Sequence, residues 1–345
     1  MIFKSESDIT KGWEKNKNIP AVSICCITYN QEKYIAKALD GFLMQETNFP
    51  FEILIHDDAS TDRTTEIVLN YKNKYPNIIK TVIQTENQYS QNPIISPRFL
   101  WPIAAGSYIA LCEGDDFWVA KTKLQMQFDF LEQNKNLGFC FTPAVEVDRD
   151  SNEGSKFCDY GKQSKQFTVG EVIRGGGGFC PTPSLFLRTE ACKTIPQWLL
   201  TNAPVGDYYI QIFAACGLAG SGYLPTVTAA YRVSAEGSWS SNLKQLKKAE
   251  IEKLASSHIY CLDKLYQSHA NLPLNDIEFA KAKELSVCAV LALNSKEFKL
   301  FDKLIVESWL ASEQINLKQL ILYKFRKYSV ALRALLLLKN RVFPF

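Results

Sequence analysis

Glu113, Gly114, Asp115 and Asp116 place three carboxylates within four positions, inside "YIALCEGDDFW". They follow an apolar run, and an aromatic pair comes next. Like charges this close repel, so the segment calls for a cation or for helix-capping work. Hard divalent cations such as Mg²⁺ and Mn²⁺ prefer oxygen ligands, and Mg²⁺ sites commonly combine one or two carboxylates with substrate phosphates. The composition of the segment therefore points to a metal-bound phosphorylated ligand, in particular a diphosphate. Asp116 also stands where it could cap the helix that follows. A second acidic pair, Asp57-Asp58, ends another apolar run. A carboxylate can accept from a ribose hydroxyl or from the ring N–H of uracil or guanine. Asp62 supplies a cap to the helix behind that pair, which leaves Asp57 and Asp58 free for such a role.

The elements that must position these groups alternate. "AVSICCITYN" (21–30), 51–55, 79–85 and 107–112 read as strands, the first almost wholly apolar, as expected of a strand buried on both faces. Helices are expected over 32–45 and from Asp62 to Lys74, with a short one at 97–105 interrupted by Pro102. Strand–helix alternation of this kind predicts a parallel, doubly wound sheet, in which ligands bind beyond the carboxyl ends of the strands. Tyr29-Asn30, Asp57-Asp58 and Glu113–Asp116 all fall at such ends. A helix at 121–134, a strand at 137–148, a polar loop at 149–166, a glycine run leading into a strand at 175–188, a helix at 206–217 and a strand at 221–233 follow. From about 242 the chain reads as helical, with candidates at 243–269, 276–295, 297–311 and 317–340.

Three segments, "VSICCITYNQEKYI", "EILIHDDASTDRT" and "YIALCEGDDFW", resemble the successive signatures of family 2 glycosyltransferases with the GT-A fold, over about 20–240. The resemblance implies an α/β architecture: a GT-A, Rossmann-like mixed sheet flanked by helices, followed by a C-terminal all-helical extension. The expected boundaries are an N-terminal segment at 1–19, a catalytic domain at 20–241 (nucleotide-binding half 20–120, acceptor half 121–241) and a helical region at 242–345. It also implies a nucleotide-diphosphate sugar donor, UDP favoured, with Mn²⁺ or Mg²⁺. Thr28, Tyr29 and Asn30 would line the nucleotide pocket, Asp58 would hold the base with Asp57 close by, and Arg98 stands where the family often offers a cation. Glu113, Gly114 and Asp115 occupy the family's DxD position, with Glu replacing the first Asp. Asp115 is then the metal ligand, Glu113 lies near ribose and sugar, and Asp116 is a second ligand or a cap.

Inverting transfer needs a base to take the acceptor's proton. Family members carry an acid at a helix start in the second half. "PVGDYYIQIFAACG" resembles that segment and nominates Asp207, although Gly206 stands where the common pattern has a further acid. The glycine run, with Gly177 and Gly178, is expected to border the acceptor, because backbone without side chains lets a substrate approach closely. "YRVSAEGSWS" resembles the segment that closes over the donor, with Arg232, Ser238 and Trp239 as contacts. QxxRW and multiple membrane spans, found in processive members, are both missing from the sequence, so single additions to a glycan or lipid-linked acceptor are expected. The resemblance implies a bacterial surface-polysaccharide setting, lipopolysaccharide or capsule. Competing readings are a nucleotidyltransferase, disfavoured because Thr28–Gln31 is no glycine-rich basic loop, and a non-catalytic sugar-binding module, disfavoured by the pairing of Asp115 with Asp207.

The chain has 345 residues, 46% hydrophobic, and a net charge of only +3, which argues against nucleic acid as a partner. Ten cysteines without a CxxC pair, behind a polar opening stretch, predict reduced thiols in a cytoplasmic protein. With three histidines, none beside a cysteine cluster, zinc is not expected. After Glu313 no acid occurs, while seven Lys and Arg follow. Read as one helix over 317–341, this end sets Ile321, Phe325, Tyr328, Leu332, Leu335 and Leu336 on one face with basic flanks. That composition suits peripheral contact with the inner face of the cytoplasmic membrane, a core-facing helix or an oligomer contact.

Overall fold

The computed structural model describes residues 4–13, 19–192, 195–233, 243, 245–269 and 271–342, the last six as backbone alone. Its centre is β1 (Val22–Thr28), whose residues are buried but for the half-buried Ile27. β2 (Phe51–Asp57), buried throughout, pairs with it in parallel on one side. β3 (Ile79–Ile83) extends that side, and β4 (Tyr108–Glu113) pairs in parallel on the other. The helices between them are α2 (Ile35–Leu43) and α3 (Thr64–Lys74), after a short α1 (Glu6–Thr10). The parallel order β3-β2-β1-β4 thus follows from apolar strands alternating with amphipathic helices. The 97–105 helix is instead a π-helical turn, Ser96–Leu100, running into a 3₁₀ turn, Trp101–Ile103, because Pro102 has no N–H to continue the ladder.

Beyond β4 the sheet becomes mixed. β10 (Phe186–Arg188) lies antiparallel between β4 and β6 (Phe139–Phe141). β11 (Ser221–Tyr223) and β9 (Lys165–Phe167) complete eight strands. A second sheet, in the order β5-β12-β7-β8, joins β5 (Phe117–Trp118), β12 (Ala229–Arg232), β7 (Ala144–Val147) and β8 (Glu153–Phe157). Two single-strand expectations are corrected here. Each of 137–148 and 221–233 divides into a strand in the large sheet and a strand in the small one. In the first, Thr142-Pro143 makes the break, and Thr142 Oγ1 meets Thr228 Oγ1 at 2.7 Å between the two crossings. The polar stretch 149–166, expected as a loop, contains β8, an exposed edge strand with no apolar periodicity to announce it. α4 (Lys123–Gln133), α5 (Val169–Gly175), α6 (Thr189–Cys192), α7 (Gln197–Asn202) and α8 (Gly206–Cys216) complete this part.

The chain divides into two units: Met1–Val172 with Gly177–Thr201 and Val205–Ala235, and Ile173–Gly176 with Asn202–Pro204 and Glu236–Phe345. The second holds α9 (Lys248–Ser268), α10 (Leu274–Asn294), α11 (Phe298–Ala311), α12 (Leu317–Lys324) and α13 (Ser329–Val342). Its core is built on Ile251, Leu285, Ala289, Leu293, Leu300, Phe301, Leu304 and Ile305. The expected single helix at 317–340 is broken by a 3₁₀ turn, Arg326–Tyr328. The break turns Leu322 and Leu332 inward while Ile321, Phe325, Tyr328 and Leu335 stay exposed, so the single apolar face is not formed.

Candidate active site

The carboxyl ends of β1, β2 and β4 carry the expected residues. Thr28 closes β1 and is buried; its hydroxyl donates to Gln31 Oε1 at 2.8 Å. Tyr29 is exposed. Asn30 adopts φ 51°, a left-handed conformation that asparagine tolerates better than most side chains. This kink lets the turns after β1 and β2 lace together. Asn30 N–H donates to Ser60 Oγ (2.9 Å), Thr61 N–H to Asn30 Oδ1 (2.7 Å) and Gln31 N–H to Thr64 Oγ1 (2.8 Å). Glu32 N–H donates to Asp62 Oδ2 and Arg63 N–H to Glu32 Oε2, both at 3.0 Å.

Asp57 and Asp58 are both buried but do different work. Asp57 accepts from Ser60 N–H (3.2 Å) and from the Ser60 and Thr65 hydroxyls, so it organises its own turn. Asp58 N–H donates to Thr28 O (3.0 Å), while its two carboxylate oxygens accept the backbone N–H groups of Gln88 (2.8 Å) and Tyr89 (2.9 Å). Arg98 lies on the π-helical turn, its guanidinium 4.8 Å from the Phe99 ring. Phe99 in turn stacks on buried His56, whose pKa is lowered by burial and, more weakly, by the Arg98 charge.

Gly114 brings the acidic segment against β1. Its N–H donates to Ile27 O (2.9 Å), and a Cβ there would meet Gln31 Oε1 at 2.4 Å and Thr28 Oγ1 at 2.7 Å. Only glycine permits that approach. Gln31 also hydrogen-bonds the Asp115 side chain. Asp116 is 2% exposed; Oδ1 accepts Arg232 N–H at 2.6 Å, and Oδ2 is buried with no hydrogen-bond partner. Burial leaves all three carboxyls reluctant to ionise, and repulsion from acidic neighbours adds to it for Glu113 and Asp116. Glu113 is pushed up to about 8 by burial, Asp115 and Asp207. Asp116 is held well above its ordinary range by burial, Asp115 and Glu113, and Asp115 is raised by burial.

Arg232 was expected on a closing segment. It sits instead in β12, 3% exposed, with Nε donating to Asp115 O (2.9 Å) and other guanidinium N–H groups to Asp148 O, Arg149 O (3.1 Å) and Ser151 Oγ (3.1 Å). It lies over Tyr34 at 4.2 Å. Its donors go to main chain and a hydroxyl, so it braces the acidic segment, and its charge partly offsets the burial of Asp115 and Asp116. Ser238 and Trp239 lie outside the described residues. Asp207 is in the first turn of α8, where Tyr208 N–H (2.7 Å) and Thr182 Oγ1 (3.2 Å) donate to its carboxylate; burial nonetheless raises its pKa. Gly177 and Gly178 belong to a 3₁₀ turn, and a Cβ on either would meet nothing within 4 Å.

Residues that motif reading did not nominate also reach this site. Besides Gln31 and Thr182, the phenols of Tyr89 and Tyr231 have their pKa raised by burial and then by Glu113, with Asp207 acting on both. Tyr231 feels Asp116 and Asp115 as well. Nothing in the local sequence around either tyrosine signals this placement.

The donor set suits a hard divalent cation: clustered, buried carboxylates with raised pKa, including Asp116 Oδ2, buried without a partner. Among the described residues no group of three or more His, Cys, Asp or Glu is arranged to hold a metal ion by itself.

The mixed sheet with its acidic strand end is the architecture of GT-A glycosyltransferases. Residues 23–194 match the family described as glycosyl transferase family 2, and the chain belongs to that family. An uncharacterized protein of Mycobacterium tuberculosis is 33% identical over 231 residues, 66% of this chain and 63% of its own. The chain thus spans under two thirds of the length of that relative. S. aureus TarS shares the fold with a TM-score of 0.59 at 18% identity, over 90% of this chain and 53% of TarS; its residues 1–349 are known in complex with UDP-GlcNAc. The mannosyltransferase PcManGT of Pyrobaculum calidifontis, in complex with GDP-Man and Mn²⁺, gives 0.52 at 16% identity, over 92% and 87% of the two chains.

Proposed function

We propose that this chain is an inverting, non-processive glycosyltransferase that moves a sugar from a nucleotide-diphosphate donor, UDP favoured, to a hydroxyl of a glycan or lipid-linked acceptor. The observation that carries the reading is the acidic end of β4, where Gly114 presses against Thr28 and Gln31 and the buried Asp116 Oδ2 has no hydrogen-bond partner, in a chain whose residues 23–194 match family 2. Thr28, Tyr29 and Asn30 receive the nucleotide at the end of β1. Asp58, whose N–H donates to Thr28 O, braces the 88–89 backbone. Asp115, with Asp116 behind it, holds Mn²⁺ or Mg²⁺. A divalent cation there supplies charge stabilisation to the departing diphosphate. Asp207 takes the proton of the attacking hydroxyl, and its raised pKa strengthens it as a base. Thr182 and the Tyr208 N–H orient the carboxylate. Gly177 and Gly178 leave room for the acceptor.

Calorimetry with UDP, GDP and dTDP, with and without Mn²⁺, tests the donor half; absence of metal-dependent nucleotide binding overturns it. Asp115→Ala is expected to abolish metal-dependent binding and slow donor hydrolysis. Asp207→Asn should keep nucleotide affinity while lowering transfer by about 10²–10⁴-fold, the usual contribution of a positioned base. Full transfer activity in Asp207→Asn would remove it from the base role.

A further inference from the structure

Residues 84–95, which follow β3, cross from the end of β2 to the start of α8. At one end Gln84 N–H donates to Asp57 O (2.9 Å), and Asp58 grips the backbone of Gln88 and Tyr89. At the other, Pro93 O and Ile94 Cδ1 lie 3.9 and 3.7 Å from where a Cβ on Gly206 would stand, beside Asp207. Asn92 ties the same end to Leu200 O. Tyr89 sits between these anchors. The residue is 42% exposed, and Glu113 and Asp207 are near enough for their charges to act on its phenol. It therefore offers exposed aromatic surface and a hydroxyl on the side of the two carboxyl groups.

If the nucleotide lies at Thr28–Asn30 and the base is Asp207, the sugar in transit lies between them, on the side that Tyr89 occupies. We propose that Tyr89 is a specificity-determining residue for the donor sugar: its ring packs against the C–H face of the pyranose, and its hydroxyl, which can donate to a carboxylate while accepting from a ligand, reads one sugar hydroxyl. This inference rests on the nucleotide-sugar reading above. An aromatic ring suits the apolar face of a sugar, and a phenol can donate and accept at once. Sites built to hydrogen-bond a substrate hydroxyl reject analogues that lack it far better than apolar pockets do. Asp58 then acts on the sugar indirectly, as the positioning residue that fixes the Tyr89 backbone.

The test compares wild type, Tyr89→Phe and Tyr89→Ala in calorimetric titrations with Mn²⁺. The ligands are UDP, GDP and dTDP, followed by glucose, galactose, N-acetylglucosamine and mannose conjugates of the nucleotide bound best. The free nucleotide is expected to bind all three proteins within about twofold. Loss of the phenol hydroxyl should shrink the spread of Kd across the sugar panel about tenfold, and loss of the ring should weaken every conjugate toward the affinity of the bare nucleotide. Tyr89→Phe removes a single oxygen, so it reports on discrimination even if Tyr89→Ala fails to fold. An unchanged sugar spread in Tyr89→Phe overturns the proposal, as does an equal loss of affinity for free nucleotide and conjugates. If wild type binds no nucleotide, the parent reading falls with it; if wild type binds and Tyr89→Phe keeps the spread, only the Tyr89 role falls.

Discussion

Gly114 is the residue on which the acidic end of β4 turns, since its missing side chain lets that segment press against Thr28 and Gln31. Gly114→Ala forces a methyl group to within 2.4 Å of Gln31 Oε1. We expect about 1–3 kcal/mol of destabilisation from this overpacking, read by thermal melting, together with a weakened metal-dependent nucleotide titration. With Asp207 as the proposed base, its carboxyl sets the expected pH response. Its carboxyl is raised above the ordinary value of 3.8, and only the ionised form can accept a proton. The rate of transfer should therefore fall as pH drops through that raised value, with the acid limb displaced above the range of a free aspartate. A profile of kcat/KM against pH whose acid limb sits at an unshifted carboxylate value would contradict this. Asp115 is legible because clustered carboxylates at a strand end call for a cation, and Asp207 because its segment resembles the family's, since a helix start by itself also favours an acid. Tyr89 and Tyr231 are not, because their roles depend on where a connection and an edge strand deliver them.

Among the elements, hydrogen bonds lace the turns after β1 and β2, the proposed nucleotide side, into one piece. Asp62 is its hub, accepting Glu32 N–H at 3.0 Å and Thr64 N–H at 2.9 Å. Burial alone would raise its pKa, but hydrogen bonds from the Thr64 side chain and the Thr64 and Glu32 backbones outweigh that and hold it below 3.8. A depressed carboxylate adds stability above its unfolded pKa and loses it as pH falls through the folded value. Asp62→Ala should cost about 1–2 kcal/mol at neutral pH, in the range of a lost cap, and the gap to wild type should close below about pH 4. Denaturant melts of both proteins across that range check it; a gap that persists at low pH would contradict the hydrogen-bond account. β1, β2 and β4 were legible as strands because each is a near-continuous apolar run. β8 and the divided strands at 137–148 and 221–233 were not, since period and composition do not say which sheet a strand joins.

For the whole molecule, the helical unit exposes Leu317, Ile321, Phe325, Tyr328, Val330 and Leu335 on a stretch without an acidic residue. No helix among the described residues is long and apolar enough to cross a membrane. We propose that this surface meets anionic lipid peripherally, which brings a lipid-linked acceptor to the enzyme. Lys327 and Arg326 both face Asp302, at 3.1 and 3.5 Å, so Lys324 is the basic residue the test removes. Cosedimentation with phosphatidylglycerol vesicles, exceeding that with phosphatidylcholine and reduced by Phe325→Ser and Lys324→Ser together, is the expected result; equal recovery from both lipids would set the idea aside. By itself the sequence determined the apolar strands, the carboxylates at their ends, the acid at the start of α8 and the family, because these are carried by short contiguous patterns with a direct physical meaning. Only the tertiary structure decided that Asp58 grips the 88–89 backbone, that Arg232 braces the acidic segment from within β12, that the last helix breaks at Arg326–Tyr328 and that Tyr89 stands between Asp58 and Asp207. Each of these depends on partners distant in the chain or on burial of one side of an element, and local spacing carries no record of either.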